Sequence, residues 1–273
     1  MKEVILNNGT KIPSIGVGVF RVEDANIAYE TVKTALSVGY RHVDTAMIYG
    51  NEEAVGKAIR DSGIPREEIF LTTKLWNDDQ RSGKVEEAIE ASLKRLGMDY
   101  VNLYLVHWPV KETYVSVWKK MEAVYKSGKA KAIGVSNYQT HHLADLLEEA
   151  EIIPAVNQIE CYPYLSQAAT IQYCLERNIR PEAWGPLGAG KSDILTNPVI
   201  TKIAKKRGLT PAQVVLGWNL ERGVIVIPKS IHKERLTENL KCTDFELTDE
   251  DMTRISALNK NLRLGADPDH FNF

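Results

Sequence analysis

Four side chains of contrasting acid–base character stand where apolar runs of strand length give way to polar sequence. They are Asp44, with Tyr49 shortly after it, in HVDTAMIYG; Lys74 in FLTTKLW; and His107 in YLVHWP. A phenol, an ammonium, a carboxylate and an imidazole are the groups needed to protonate a carbonyl oxygen at neutral pH. A free tyrosine titrates near ~10. An ammonium beside it favours the phenolate and lowers that value, and a carboxylate keeps the ammonium charged and oriented. An imidazole at the same place donates a hydrogen bond to the same oxygen. The plainer alternative is a buried Asp–Lys pair with a Tyr and a His satisfied beside it. A lysine at a strand end is also the nucleophile of Schiff-base lyases, which leaves a second enzyme class open for Lys74.

A second constellation lies in IPKSIHKERLTENL, residues 227–240. A strand ending in Pro-Lys-Ser runs into a helix that opens with Lys233 and Arg235. Helix N-termini offer free N–H groups to phosphate, and Lys and Arg add charge for a further phosphate monoester. A solvated basic helix start explains the same stretch equally well. Gly16 and Gly18 in IGVGVF have no third glycine to complete a GxGxxG turn, which argues against a Rossmann dinucleotide site. Trp184, at a strand end in AWGPLGAGK, is placed either to stack on a planar ring or simply to pack. Phe20, Trp76 and Trp108 follow strands and could wall a partly apolar pocket, or pack individually. The remaining histidines, His42, His141, His142, His232 and His270, show no ligand spacing such as HExxH. They read as surface or loop residues, with no metal expected.

The segments that must position these groups alternate between two periods. A hairpin is expected at the N-terminus (Val4–Leu6, a turn at Asn7-Asn8-Gly9, then Lys11–Ile12). Strands are expected at Ile15–Val19, His42–Ala46, Ile69–Leu75, Val101–His107, Ala132–Ser136, Ala155–Glu160, Arg180–Trp184 and Val224–Pro228. Between them lie helical stripes: Val85, Ala88, Ile89, Leu93 and Leu96; Val117, Met121 and Val124; Leu143, Leu146 and Leu147. Gly39, Gly63, Gly97, Gly128 and Gly208 mark helix ends. Strands that are apolar throughout imply a parallel sheet covered on both faces. An α/β (β/α)8 TIM barrel, with an N-terminal β-hairpin and two extra helices at Pro198–Arg207 and Asp249–Leu258, is the economical closure; an open doubly wound sheet is the competitor. In a barrel the chemistry gathers at the C-terminal ends of the strands, where Asp44, Lys74, His107, Asn137, Gln158, Trp184 and Lys229 all fall.

The bulk properties fit an enzyme of this size. A barrel domain runs to roughly 250 residues, and no linker splits the 273 residues, so one domain over 1–273 is expected. A net charge of −2 argues against nucleic acid or an anionic membrane as partner. The start MKEVILNNGTK is too polar for a signal peptide, and no apolar run reaches the ~20 residues of a membrane span. Three cysteines without CxxC spacing read as reduced thiols in a cytoplasmic protein.

Over almost its whole length the sequence resembles the aldo-keto reductase superfamily. The matching segments are GYRHVDTAMIYGNEEAVGKAI, FLTTKLW, DYVNLYLVHWP, KAIGVSNY, PAVNQIE, AWGPLGAG and IPKSIHKERLTENL. The short WGPLG and the tail DPDHFNF are most similar to the prokaryotic branch that includes 2,5-diketo-gluconate reductases. The resemblance implies a (β/α)8 barrel, NADPH (NADP+) as cofactor, no metal, a monomer and a small-molecule carbonyl substrate. It implies a catalytic tetrad of Asp44, Tyr49, Lys74 and His107. Ser136, Asn137 and Gln158 would bind the nicotinamide carboxamide and Trp184 would stack on its ring. Gly18, Val19 and Asp44 would border the cofactor, Gly185 and Leu187 would lie by its pyrophosphate, and Lys229, Ser230, Ile231, Arg235 and Asn239 would hold the adenosine 2′-phosphate end. Phe20, Met47, Tyr49, Trp76, His107 and Trp108 would edge the substrate. Gly185 stands where many members have Ser, and Tyr162 where E-x-H-P has His. The short segment after Pro109 and the brief tail after Gly265 imply an open pocket for small to medium carbonyl compounds. A non-catalytic, cofactor-sensing role is the remaining alternative.

Overall fold

Parallel strands without a polar face need cover on both sides, and the computed structural model, which describes residues 2–273, supplies it with a ring of strands wrapped by helices. The hairpin is β1 (Glu3–Ile5) and β2 (Lys11–Pro13), paired antiparallel. The ring is β3 (Val17–Gly18), β4 (His42–Asp44), β5 (Phe70–Leu75), β6 (Val101–Val106), β7 (Ala130–Ser136), β8 (Val156–Glu160), β9 (Arg180–Trp184) and β10 (Ile225–Val226). All neighbours pair in parallel and in chain order, from β3 to β10. A doubly wound sheet would reverse that order at a switch point. Here the ends meet instead: Ile15 bridges Val226, Gly16 N donates to Val226 O at 2.8 Å, and Val226 N donates to Ser14 O at 3.1 Å. The sheet is therefore closed into a (β/α)8 barrel.

The seam strands are shorter than the apolar runs suggest, two residues each for β3 and β10, because Pro228 has no N–H to extend the ladder. Inside the ring, side chains of one parity stack in layers. Leu6 and Ile12 of the hairpin pack with Phe70, Leu103, Leu105, Ala132, Val156 and Ile225 to plug the N-terminal end. Along β5, Phe70, Thr72 and Lys74 face the same way, so the layers climb from that plug to a charged side chain near the mouth. Outside, the helix Val85–Leu96 buries Val85, Ile89, Leu93 and Leu96, and ends at Gly97 as the stripe implies. The extra helices occur at Pro198–Arg207 and Asp249–Ser256. No helix among the described residues is long and apolar enough to cross a membrane. All three cysteines are buried and unpaired.

Candidate active site

At the upper layer of the barrel, Lys74 is fully buried and its Nζ donates to three oxygens: Asp44 Oδ1 at 2.6 Å, Thr45 O at 2.8 Å and Tyr49 Oη at 3.4 Å. The geometry follows from the local chain. β4 ends at Asp44, and a single 3-10 turn, Met47–Tyr49, closed by Gly50, brings the half-buried phenol back over the lysine. Asn51 fixes this turn, accepting from Thr45 Oγ1 at 2.7 Å and donating to Val19 O and Val22 O, which ties down the loop carrying Phe20. His107, just past β6, lies with its ring 5.7 Å from that of Tyr49. The four groups expected from strand ends do converge.

Their ionisation differs in one respect from the expectation. Burial raises the Tyr49 phenol above its ordinary value, and Lys74 pulls it down only in part, so the net shift is upward and the phenol stays protonated at neutral pH. Burial alone would lower Lys74, but the Asp44 carboxylate beside it outweighs this and keeps the ammonium charged. Burial, with Lys74 beside it, holds His107 well below the ordinary imidazole range and therefore neutral. Its Nδ1 is buried without a hydrogen-bond partner.

An aromatic wall rises from this floor. Phe20 lies 4.9 Å from Tyr49 and Trp76 lies 5.2 Å from His107, ring centre to ring centre; Met47 is half-buried in the Tyr49 turn. The tail, brief as it is, packs on this wall. Phe273 stacks on Trp76 at 5.9 Å and meets Trp108 edge-on at 5.2 Å, and Phe271 packs on Trp108 at 5.2 Å. Asn77 and Arg81 hold the Phe273 carbonyl at 3.0 and 2.9 Å. Sequence reasoning missed both phenylalanines; the available signal was a pair of aromatics in an otherwise polar tail.

Two histidines read as surface or loop residues are buried instead. His42 lies inside the barrel at the start of β4, where it fits because Gly16 has no side chain: a Cβ there would sit 2.6 Å from His42 Nδ1. His142 is in the helix Thr140–Glu149, and its Nδ1 accepts from Gln139 N. That bond puts the proton of a neutral ring on Nε2, 3.3 Å from Asp269 Oδ1. With His141 Nε2 at 2.9 Å and Gln139 Nε2 donating to Oδ2 at 2.8 Å, these groups anchor the tail at Asp269.

The residues assigned to a cofactor divide into a buried and an exposed set. Ser136 Oγ donates to Gln158 O at 2.8 Å, Asn137 Nδ2 donates to His107 O at 3.0 Å, and the Trp184 indole donates to Asn137 Oδ1 at 2.8 Å. Gly18 N donates to Pro228 O and Val19 N to Asp44 O, so both lie along the seam beside the tetrad. Gly185 has φ +59, a left-handed backbone that a Ser would strain, and Leu187 is half-buried next to it. Tyr162 uses its hydroxyl to reach Leu262 O at 2.9 Å, bracing the start of the tail. Lys229, Ile231 and Arg235 are exposed around the start of the helix Lys233–Leu240, while Ser230 and Asn239 are buried beneath them. Free cations at a helix N-terminus fit a phosphate group, and the buried amides fit a neutral planar carboxamide.

The profile of the aldo/keto reductase family matches residues 14–260. The chain is 51% identical over 270 residues to a glyoxal reductase of Bacillus subtilis, covering 99% of this chain and 97% of that one. It is 43% identical over 268 residues to the methylglyoxal reductase DkgA of Salmonella typhimurium, covering 97% and 96%. Among solved structures, MGS-M4, an aldo-keto reductase from a deep-sea metagenome library of the Medee basin, is similar at a TM-score of 0.96 and 48% identity. That alignment covers 100% of both chains.

Proposed function

This chain belongs to the aldo/keto reductase family, and from that premise we propose that it reduces aldehydes and ketones to alcohols with NADPH, Tyr49 delivering the proton. The carrying observation is the buried Lys74 ammonium bridging Asp44 and the Tyr49 hydroxyl at 2.6 and 3.4 Å. Ser136, Asn137, Gln158 and Trp184 would hold a nicotinamide, which when bound would supply the hydride. Tyr49 Oη gives its proton to the carbonyl oxygen as negative charge develops there, and the phenolate that remains is stabilised by the Lys74 ammonium. Asp44 holds Lys74 charged throughout. Neutral His107 orients the same oxygen through its ring N–H.

Lys74 is a poor candidate for Schiff-base chemistry in this setting, since a nucleophilic amine must be neutral and Asp44 keeps this one protonated. Lys229 and Arg235, with Ser230, Ile231 and Asn239, form the 2′-phosphate end in our reading, which favours NADPH over NADH. Phe20, Met47, Trp76 and Trp108, joined by Phe271 and Phe273, suit small to medium carbonyl compounds. The substrates proposed include keto-sugars and α-dicarbonyls, and the glyoxal and methylglyoxal reductases among the relatives favour the latter. Reduced buried thiols support a cytoplasmic setting, and we read the enzyme as a single-domain monomer. NADPH oxidation measured against aldehydes, α-dicarbonyls and keto-sugars tests this: turnover of at least one class is expected, and bound NADPH that no carbonyl oxidises would contradict it.

A further inference from the structure

Beneath the tetrad lies a second buried carboxyl group that the reaction as described does not use. Glu182 on β9 is fully buried and stands in register with Gln158 on β8. Gln158 Nε2 spends both its protons on acids, donating to Asp44 Oδ2 at 2.8 Å and to Glu182 Oε2 at 2.6 Å. The hydrogen bonds thus run without a break from Tyr49 through Lys74, Asp44 and Gln158 to Glu182. The charged and titratable groups facing Glu182 are Asp44 and His42 from β4 and Lys74 from β5. One ammonium can offset one carboxylate, and a second buried anion in this layer would be uncompensated. Glu182 Oε1 has no hydrogen-bond partner, and the base nearest to it is His42 Nε2 at 3.7 Å.

We propose that Glu182 is a positioning residue: as a neutral carboxylic acid it fixes the Gln158 amide and leaves Asp44 the single anion opposite Lys74. Two consequences follow. With its nitrogen held by two acids, Gln158 keeps Oε1 as its free end, an acceptor suited to the carboxamide N–H2 of a nicotinamide. If Glu182 loses its proton, a second negative charge enters the layer, and it opposes tyrosinate formation just as Asp44 does, so Tyr49 becomes a poorer donor. Burial, reinforced by Asp44, pushes the Glu182 carboxyl up to about 8, and burial pushes the His42 imidazole down to about 3, which agrees with a proton on the acid and none on the ring.

This inference rests on the reductase reading above, and the test separates the two. NADPH-dependent carbonyl reduction is followed from pH 6 to 9.5 in the wild type, Glu182→Leu and Glu182→Gln. Glu182→Leu, which releases Gln158, is expected to lower kcat about tenfold at every pH with carbonyl KM little changed. Glu182→Gln, an isostere of the neutral acid, restores kcat at pH 6.5. It also stays on its plateau at pH 9, where the wild type has fallen at least about threefold. Superimposable wild-type and Glu182→Gln profiles, or failure of Gln to rescue at any pH, overturn the proposal. An inactive wild type overturns the reductase reading itself. Infrared pH-difference spectra of the wild type need no variant to fold: a buried carboxylic acid C=O band at pH 7 that disappears by pH 9.5 is expected, and its absence also overturns the proposal.

Discussion

At the floor of the barrel mouth Lys74 is fully buried and bonded to three oxygens, whereas Lys229 and Arg235, at the start of the helix Lys233–Leu240, lie exposed and in no ion pair among the described residues. The first arrangement is complete before any ligand arrives. Its charges are already desolvated and oriented, so nothing need reorganise as the proton moves. The second is completed only by an anion from outside. In the proposed mechanism, the groups that would handle the proton are bound into the fold, while those that would select the ligand are left in water, where each contributes an increment of affinity and little stability.

That contrast predicts different consequences for removing a charge at each place. Lys74→Met strands Asp44 as a buried, uncompensated anion. It is expected to cost about 3–5 kcal/mol of folding stability as well as nearly all turnover. A denaturant melt showing no loss would mean that the pair contributes nothing to the fold. The Glu182 carboxyl comes next. Its folded value, about 8, lies above the ordinary 4.5, so the folded state holds the proton more tightly. Stability from this group is fully present below pH 4.5, is lost as pH rises towards 8 and is flat beyond, a loss on the order of a few kcal/mol. The difference in Tm between wild type and Glu182→Gln should therefore grow across that window in favour of the variant; a constant difference speaks against it. Arg235→Ala should leave stability unchanged but weaken NADPH binding about 10- to 100-fold, in keeping with one charge-assisted hydrogen bond, and NADH hardly at all. Equal losses for both cofactors would remove the phosphate assignment. The smallest effect belongs to the tail. Asp269→Asn loosens the contacts to Gln139, His141 and His142, and should raise carbonyl KM about two- to fivefold with kcat steady. An unchanged KM would show that Phe271 and Phe273 hold their place unaided.

What could be read from the chain follows the same division. A polar residue closing an apolar run marks a barrel strand end whatever the rest of the fold does, so Asp44, Lys74, His107 and Gln158 were visible in one dimension. The packing of Phe273 on Trp76 was not, because only the closed barrel and the path of the tail bring residues so distant in sequence together. His42 was misread for a related reason: the space that buries it is made by Gly16, just before the neighbouring strand β3. The net upward shift of Tyr49 was hidden as well. Lys74 as a neighbour can be inferred from spacing, but the desolvation that outweighs it depends on surroundings that exist only after folding. Strand lengths at the seam were overestimated because apolar content does not decide where a ladder stops, and Pro228, apolar but without an N–H, cannot extend it.

The most direct measurement on the central claim is single-turnover reduction by Tyr49→Phe, paired with a fluorescence titration of NADPH. The variant should slow the chemical step about 10²- to 10⁴-fold while NADPH binds within about twofold of the wild type, because on the proposed mechanism the phenol gives up the proton and Lys74, Asp44 and His107 remain in place. Reduction at the wild-type rate without that hydroxyl would contradict the account.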